Sequence, residues 1–152
     1  MKKIILLFVV VLSAFCAVSC KKDNKTTVGI LLTATHSALN DAKDGFIEAL
    51  KANGYEDAEF VVRNPEGDAT TMNSMATELV RKSDIVLGVG TPAAVALQSA
   101  RDAEELDVTI LFTAVTDPEA AGLTNCDFIT GTNDMNPVAD QVALIKDIKA
   151  DA

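Results

Sequence analysis

The sequence predicts an α/β fold in which helices cover a parallel β-sheet. From residue 26 onwards, short apolar runs typical of buried strands alternate with apolar residues at helical spacing. No repeat or low-complexity segment interrupts this alternation. The composition, 49% hydrophobic but only 5% aromatic and without Trp, is typical of the Val, Ile, Leu and Ala cores of sheets that are buried on both faces.

Five strands are predicted from apolar runs flanked by turn residues. Val28 to Leu32 is a continuous run of the kind found in central strands, and the last of the five runs is the weakest. The predicted strands are 28–32, 59–63, 84–89, 108–112 and 127–130.

Four helices are predicted between and after these strands. The first ends before Gly54, and Asp68 is the expected N-cap of the second. Thr91 is the expected N-cap of the third, with Pro92 at the first helical position and an end near Glu104. The predicted helices are about 39–50, 69–80, 92–104 and 137–148.

Right-handed crossovers place the carboxyl ends of all parallel strands at one edge, and open sheets bind ligands there. The residues that follow the strands are therefore the candidates for a binding site. Hydroxyl, amide and carboxylate groups dominate among them. The candidate ligand-binding residues are Thr35, His36, Thr91, Pro92, Ala93, Thr116, Asp117 and Asp134.

The turn from Gly88 to Ala93 formally fits a glycine-rich dinucleotide fingerprint. However, it follows the third strand, and Asp107, about 20 residues on, precedes a strand instead of ending one. We therefore expect the turn to let the backbone approach a ligand and the helix start to attract a carboxylate. A tight turn without a ligand is the open alternative.

No residue pair in the sequence indicates catalysis or metal binding. His36 is the only histidine, so it is a ligand contact, a proton-transfer group or a helix cap. Asp134 and Asp117 are candidates for binding an ammonium group, and Asp117 before Pro118 is equally typical of a turn cap. We expect no cofactor, no metal and no enzymatic activity.

The first twenty residues have the pattern of an export signal. Lys2 and Lys3 precede a nine-residue apolar run, and small residues lead to Cys20. Residues 17–20, AVSC, resemble the lipobox of bacterial lipoproteins, in which the cysteine becomes the lipidated N-terminus; Cys16 is a poorer candidate because Phe15 precedes it. An ordinary signal peptide and an uncleaved membrane anchor are the alternatives.

The acidic net charge makes two classes of partner unfavourable. With 22 acidic and 13 basic residues the net charge is -9, which disfavours binding to nucleic acid or to an anionic membrane surface. Loss of Cys16 and acylation of Cys20 would leave Cys126 without a disulfide partner. We therefore expect Cys126 to be a small buried residue.

Seven segments, in order along the chain, resemble the substrate-binding proteins of ABC transporters, in the branch of the tryptophan/tyrosine-type binding lipoproteins. The most specific of them are 90–94 and 114–123. The matching segments are 35–46 (THSALNDAKDGF), 50–55 (LKANGY), 64–68 (NPEGD), 90–94 (GTPAA), 114–123 (AVTDPEAAGL), 131–134 (GTND) and 137–141 (PVADQ).

This resemblance implies a type I periplasmic-binding-protein fold, whose two α/β lobes of flavodoxin-like layout close on a small solute such as an aromatic amino acid. It implies that Thr35, Thr91, Thr116 and Asp134 occupy crevice positions and that the partner is a membrane permease. Since members are about twice as long, we expect a second lobe to be missing, with a fragment as the favoured explanation. The expected organisation is 1–19 signal peptide, 20–26 tether, 27–135 N-terminal lobe and 136–152 the helix that would begin the second lobe.

The sequence thus favours a solute-binding lipoprotein on the outer side of the cell membrane. An exported flavodoxin-like enzyme that uses His36 or Asp117, and a surface lipoprotein that makes only protein contacts, are the alternatives.

Lipidation of Cys20 predicts that globomycin, which inhibits the lipoprotein signal peptidase, makes an unprocessed precursor accumulate. The precursor is detected by its slower migration in a denaturing gel. Unchanged processing in the presence of globomycin would contradict the lipoprotein assignment.

Overall fold

The computed structural model describes residues 25–124 and 126–149. The predicted signal peptide and the candidate lipidation site, Cys20, lie outside the described residues. The strands are β1 (Thr27–Leu32), β2 (Glu59–Arg63), β3 (Ile85–Val89), β4 (Thr109–Val115) and β5 (Ile129–Asn133). The helices are α1 (Ser37–Ala52), α2 (Ala69–Lys82), α3 (Thr91–Glu104) and α4 (Val138–Ile148).

The five strands form one parallel sheet in the order β2-β1-β3-β4-β5. This is the order of flavodoxin-like folds, in which the chain passes outward from β1 in one direction and from β3 in the other. The α/β class predicted from the alternating pattern is therefore confirmed.

Helices α2 and α3 pack on one face of the sheet and α1 on the other, which gives two hydrophobic clusters. Strand β1 contributes to both clusters, because successive side chains of a strand point to opposite faces. Leu31 lies in the α2–α3 cluster, while Val28, Ile30 and Leu32 lie in the α1 cluster, and all four are buried.

The helix ends follow from local sequence. The side chain of Asp68 accepts a hydrogen bond from the amide of Thr71 at 2.7 Å, which confirms it as the N-cap of α2. Gly54, with φ +95°, follows the C-cap of α1.

Strands β4 and β5 differ from their predicted ranges. Strand β4 continues through residues 113–115, beyond the predicted end at residue 112. Ala114 adopts φ 54°, and the pairing with β5 shifts register between Phe112 and Val115. Such a bulge has no apolar pattern that would predict it.

Strand β5 begins at Ile129, so Asp127 and Phe128 lie in a turn, while Thr132 and Asn133, predicted to follow the strand, belong to it. Ile129 is its only buried residue. The strand is therefore held by backbone pairing to β4, and its side chains carry little signal of a strand.

Helix α4 confirms the predicted helix after Pro137, which is its N-cap. All its residues are exposed. The exposed fractions include 63% for Val138, 56% for Ile145 and 78% for Ile148. The helix therefore presents its apolar side chains to solvent.

None of the helices within residues 25–124 and 126–149 combines the length and the apolar character that crossing a bilayer requires. Cys126, predicted to be buried, is a free cysteine that is only partly buried and packs against the α2–α3 cluster.

Gly88 allows α3 to approach the sheet closely. A Cβ at Gly88 would lie 2.5 Å from Cα of Ala94. Backbone atoms cannot rotate away as a flexible side chain can, so any larger residue would push helix and strand apart.

We therefore expect Gly88→Ala to lower the free energy of unfolding by about 1–3 kcal/mol. The matched control is Gly45→Ala in α1, where an added Cβ meets nothing within 4 Å and a gain of about 0.5–1 kcal/mol is expected. Urea unfolding of both variants measures these changes, and a Gly88→Ala protein as stable as wild type would contradict the packing argument.

Candidate functional site

The candidate site is the edge of the sheet where all five strands end. Between β1 and β3 the chain leaves the sheet towards opposite faces, since α1 packs on one side and α3 on the other. Open α/β sheets bind ligands at this switch point. The loops after β1 and β3 carry five of the eight predicted residues.

Hydrogen bonds join the loop after β1 to the end of β3. The amide and the hydroxyl of Thr33 both donate to the carbonyl of Val89, at 3.2 and 3.1 Å. Gly90 has φ +94°, and a Cβ there would lie 2.6 Å from Oγ1 of Thr33. A glycine is therefore required at the point where β3 turns into α3.

The start of α3 differs from the prediction in one respect. Gly90, not Thr91, is the N-cap, and no side chain in the described part of the chain caps the helix. The helix begins one residue earlier than predicted because Gly90 has a positive φ, which glycine adopts without steric cost. Among the described residues no side chain caps the first turn of α3, whose amides carry the partial positive charge of a helix N-terminus. Pro92 is exposed and lacks an amide hydrogen.

The loops after β1 and β2 meet in a cluster of three polar side chains, which we name the Thr35 corner: Thr35, Asn64 and Glu66. The amide of Thr35 donates to Oε2 of Glu66 at 3.1 Å, and its hydroxyl donates to Oε1. Nδ2 of Asn64 donates to Oγ1 of Thr35 at 2.9 Å and to Oε1 of Glu66 at 2.8 Å. Both donors of Thr35 are thus bound to a carboxylate of the same chain.

Hydrogen bonds from the hydroxyl and the amide of Thr35 lower the pKa of Glu66 below its ordinary value. The side chain is therefore ionised at neutral pH and adds a negative charge to the edge.

Glu66 was not among the residues predicted from the sequence. It adopts φ 52° after Asn64 and Pro65 and before Gly67. This sequence is a recognisable turn signal. It indicates a turn but not which side chain the turn directs at Thr35.

His36 acts as a helix cap. It is the N-cap of α1, and its Nδ1 accepts a hydrogen bond from the amide of Ala38 at 3.3 Å. Of the three roles predicted for His36, the helix cap is the one that its hydrogen bond shows. His36 remains at the edge beside Thr35.

Asp117 is a turn cap in the same way. Its Oδ1 accepts a hydrogen bond from the amide of Ala120 at 2.9 Å, and its carbonyl accepts one from Ala121 at 3.0 Å. Thr116, just before it, is exposed. The predicted turn at Asp117 and Pro118 is therefore confirmed.

Asp134 lies at the end of β5, as predicted. Its amide donates to the carbonyl of Val115 at 3.1 Å, which ties the end of β5 to the end of β4. The residue is exposed. Because β4 and β5 are neighbours in the sheet, the predicted residues Thr116 and Asp134 follow adjacent strands.

Backbone hydrogen bonds join the five loops in the order of the strands. The amide of Gly67 donates to the carbonyl of Thr33, and the amide of Gly90 donates to that of Thr113, both at 2.9 Å. With the bonds from Thr33 and Asp134 described above, they place the loops that carry the predicted residues along one edge. Ala93 is the exception among the eight, because it is fully buried in the α2–α3 cluster and its side chain is part of the core. The assignment of the eight residues to ligand binding stays a prediction.

The edge does not resemble a metal centre. Within residues 25–124 and 126–149 no group of three or more His, Cys, Asp or Glu side chains is placed to hold a metal ion. The arrangement offers hydrogen-bond donors, acceptors and separate charges, which is the chemistry of reversible solute recognition.

The strand order and the polar edge define an open α/β lobe of the class that binds small ligands at a switch point. Comparison with known proteins identifies the family. Residues 27–152 match the model of the ABC transporter substrate binding proteins, and the chain belongs to this family. The resemblance predicted from seven sequence segments is thereby confirmed.

The relatives include a curated tyrosine-binding protein of Clostridioides difficile, which is 34% identical over 137 residues. Two solved structures are each 32% identical. One is the ligand-free, open structure of a substrate binding protein with adhesive properties from Clostridium difficile, with a TM-score of 0.74. The other is the ABC domain from Streptococcus pneumoniae in complex with L-Trp, with a TM-score of 0.73.

These alignments cover most of this chain but less than half of each relative. They span 83% of the chain and 39% of the tyrosine-binding protein. For the Clostridium and Streptococcus structures they span 84% and 81% of the chain, and 45% and 43% of the structure. The described sheet therefore corresponds to a single lobe of such proteins.

The capping role of Asp117 predicts that Asp117→Asn keeps the stability of the protein, since an amide oxygen also accepts the hydrogen bond from Ala120. Asp117→Ala should lower the free energy of unfolding by about 0.5–1.5 kcal/mol. Urea unfolding of the two variants distinguishes these outcomes. Equal losses in both would show that the charge, and not the hydrogen bond, matters.

Proposed function

We propose that this chain is a solute-binding component of an ABC importer and that the strand-end edge binds a small zwitterionic solute. The observation that carries this proposal is the edge itself: an uncapped helix N-terminus and fixed carboxylates stand on loops joined by hydrogen bonds. The helix N-terminus offers partial positive charge to an anion, and the carboxylates offer negative charge to an ammonium group.

Amino acids with aromatic side chains are the first solutes to test. One relative is a tyrosine-binding protein and another was solved with L-Trp. Both are about one-third identical to this chain over the aligned part, so they support the ligand class and not a particular amino acid.

We further propose that Cys20 carries a lipid and holds the protein at the outer face of the cell membrane, beside its permease. This location fits the lipobox-like residues 17–20 and the polar residues 21–25 that follow. It would keep captured solute close to the transporter.

We propose no catalytic role. The alternative of an exported enzyme relied on His36 or Asp117 for proton transfer, and both side chains accept capping hydrogen bonds. The family to which the chain belongs consists of binding proteins. Neither observation favours a second function.

Solute binding predicts that L-tyrosine or L-tryptophan stabilises the full chain in mild detergent. At about ten times its Kd, a ligand that binds only the folded state adds about 1.4 kcal/mol to the free energy of unfolding. Thermal-shift and calorimetric titrations measure the effect.

Thr91→Val should weaken this binding about tenfold or more if the hydroxyl contacts a charged group of the ligand. The matched control is Thr109→Val, an exposed threonine at the opposite edge of the sheet. Absence of stabilisation by either amino acid, or equal effects of the two substitutions, would contradict a binding site at the strand-end edge.

A further inference from the structure

Given the solute-binding function proposed above, on which this assignment rests, we propose that Glu66 sets the charge preference of the edge. Its carboxylate binds an ammonium group of the solute at the Thr35 corner and excludes solutes that present only a carboxylate there. Glu66 is thus a specificity-determining residue.

The side chain of Glu66 is exposed but fixed in position. Its amide donates to Oδ1 of Asn64 at 3.0 Å, and its carboxylate accepts from the amide and hydroxyl of Thr35 and from Nδ2 of Asn64. An exposed glutamate ordinarily samples several rotamers and loses that freedom on binding. Here the ordering has occurred before the solute arrives, which favours binding.

The charge of Glu66 is not neutralised by a neighbour. Within residues 25–124 and 126–149, no Lys, Arg or His nitrogen lies within 4.0 Å of its carboxylate. By contrast, Glu78 forms ion pairs with Arg63 at 3.0 Å and with Lys82 at 3.1 Å. Glu66 therefore carries a fixed negative charge for which a cationic solute group is a suitable partner.

The hydrogen-bond geometry also leaves room for such a partner. A carboxylate offers about four acceptor positions. Oε1 of Glu66 accepts from Thr35 and Asn64, and among the described residues Oε2 accepts only from the amide of Thr35. One position at Oε2 therefore remains for a donor.

The same contacts exclude a carboxylate from this corner. A backbone amide beside a hydroxyl is a donor pair suited to an anion, but both donors of Thr35 are already bound to Glu66. A solute carboxylate would have to displace Glu66 or lie beside its charge, and like charges at close range repel. The corner thus distinguishes cationic from anionic groups.

Three related probes test this preference on the full chain in mild detergent: L-tryptophan, its amine analogue tryptamine and its acid analogue indole-3-propionate. Titration calorimetry should show that wild type binds tryptamine about 10- to 100-fold more tightly than the acid. One hydrogen bond to a charged group changes an affinity by about this factor. Glu66→Gln, which keeps one of the two acceptor oxygens and removes the charge, should abolish most of the difference. Glu66→Lys should reverse it.

The matched control is Glu105→Gln. Glu105 is an exposed glutamate that also adopts φ 52°, but it caps the C-terminus of α3 at the other edge of the sheet. This substitution should leave all three affinities unchanged. Unfolding curves confirm that each variant is folded.

An amine-to-acid preference that is the same in wild type, Glu66→Gln and Glu66→Lys overturns the role of Glu66. So does tighter binding of L-tryptophan to Glu66→Gln, because Glu66 would then compete with the solute. If wild type binds none of the three probes, the proposed function itself is contradicted and the assignment of Glu66 is overturned with it.

Discussion

The pairing of β1 between β2 and β3 is the constraint on which the rest of the structure depends. In register, Val28 pairs with Phe60 on one side and with Ile85 on the other. Because the connections are right-handed, this order sends α1 to one face and α2 and α3 to the other. The same order creates the switch point, so the position of the polar edge follows from the position of one buried strand.

Much of the fold was predictable because burial and periodicity express themselves in sequence. Strand β2 and helix α3 lie within a residue of their predicted bounds, and Asp68 caps α2 as its type suggests. The pattern failed where backbone geometry replaced burial as the cause of structure. The bulge at Ala114 and the polar strand β5 are held by pairing to a neighbour, and no local residue pattern encodes that.

The candidate site, like the fold, was predictable only in part. The order of strands and loops was enough to place Thr35, Thr116 and Asp134 at one edge. It was not enough to show what each side chain touches, because contacts such as that between Thr35 and Glu66 join residues 31 positions apart in sequence. His36 and Asp117 show that a polar residue at a strand end satisfies backbone donors of its own chain as readily as it serves a ligand.

Helix α4 has a consequence for the order in which the protein melts. It has 11 residues and buries none of them. Isolated helices of that length are at most marginally stable in water, because tertiary burial normally supplies most of the stability. Heating should therefore unwind α4 in a gradual, non-cooperative step while the sheet remains intact, and its amide hydrogens should exchange with solvent long before those of β1.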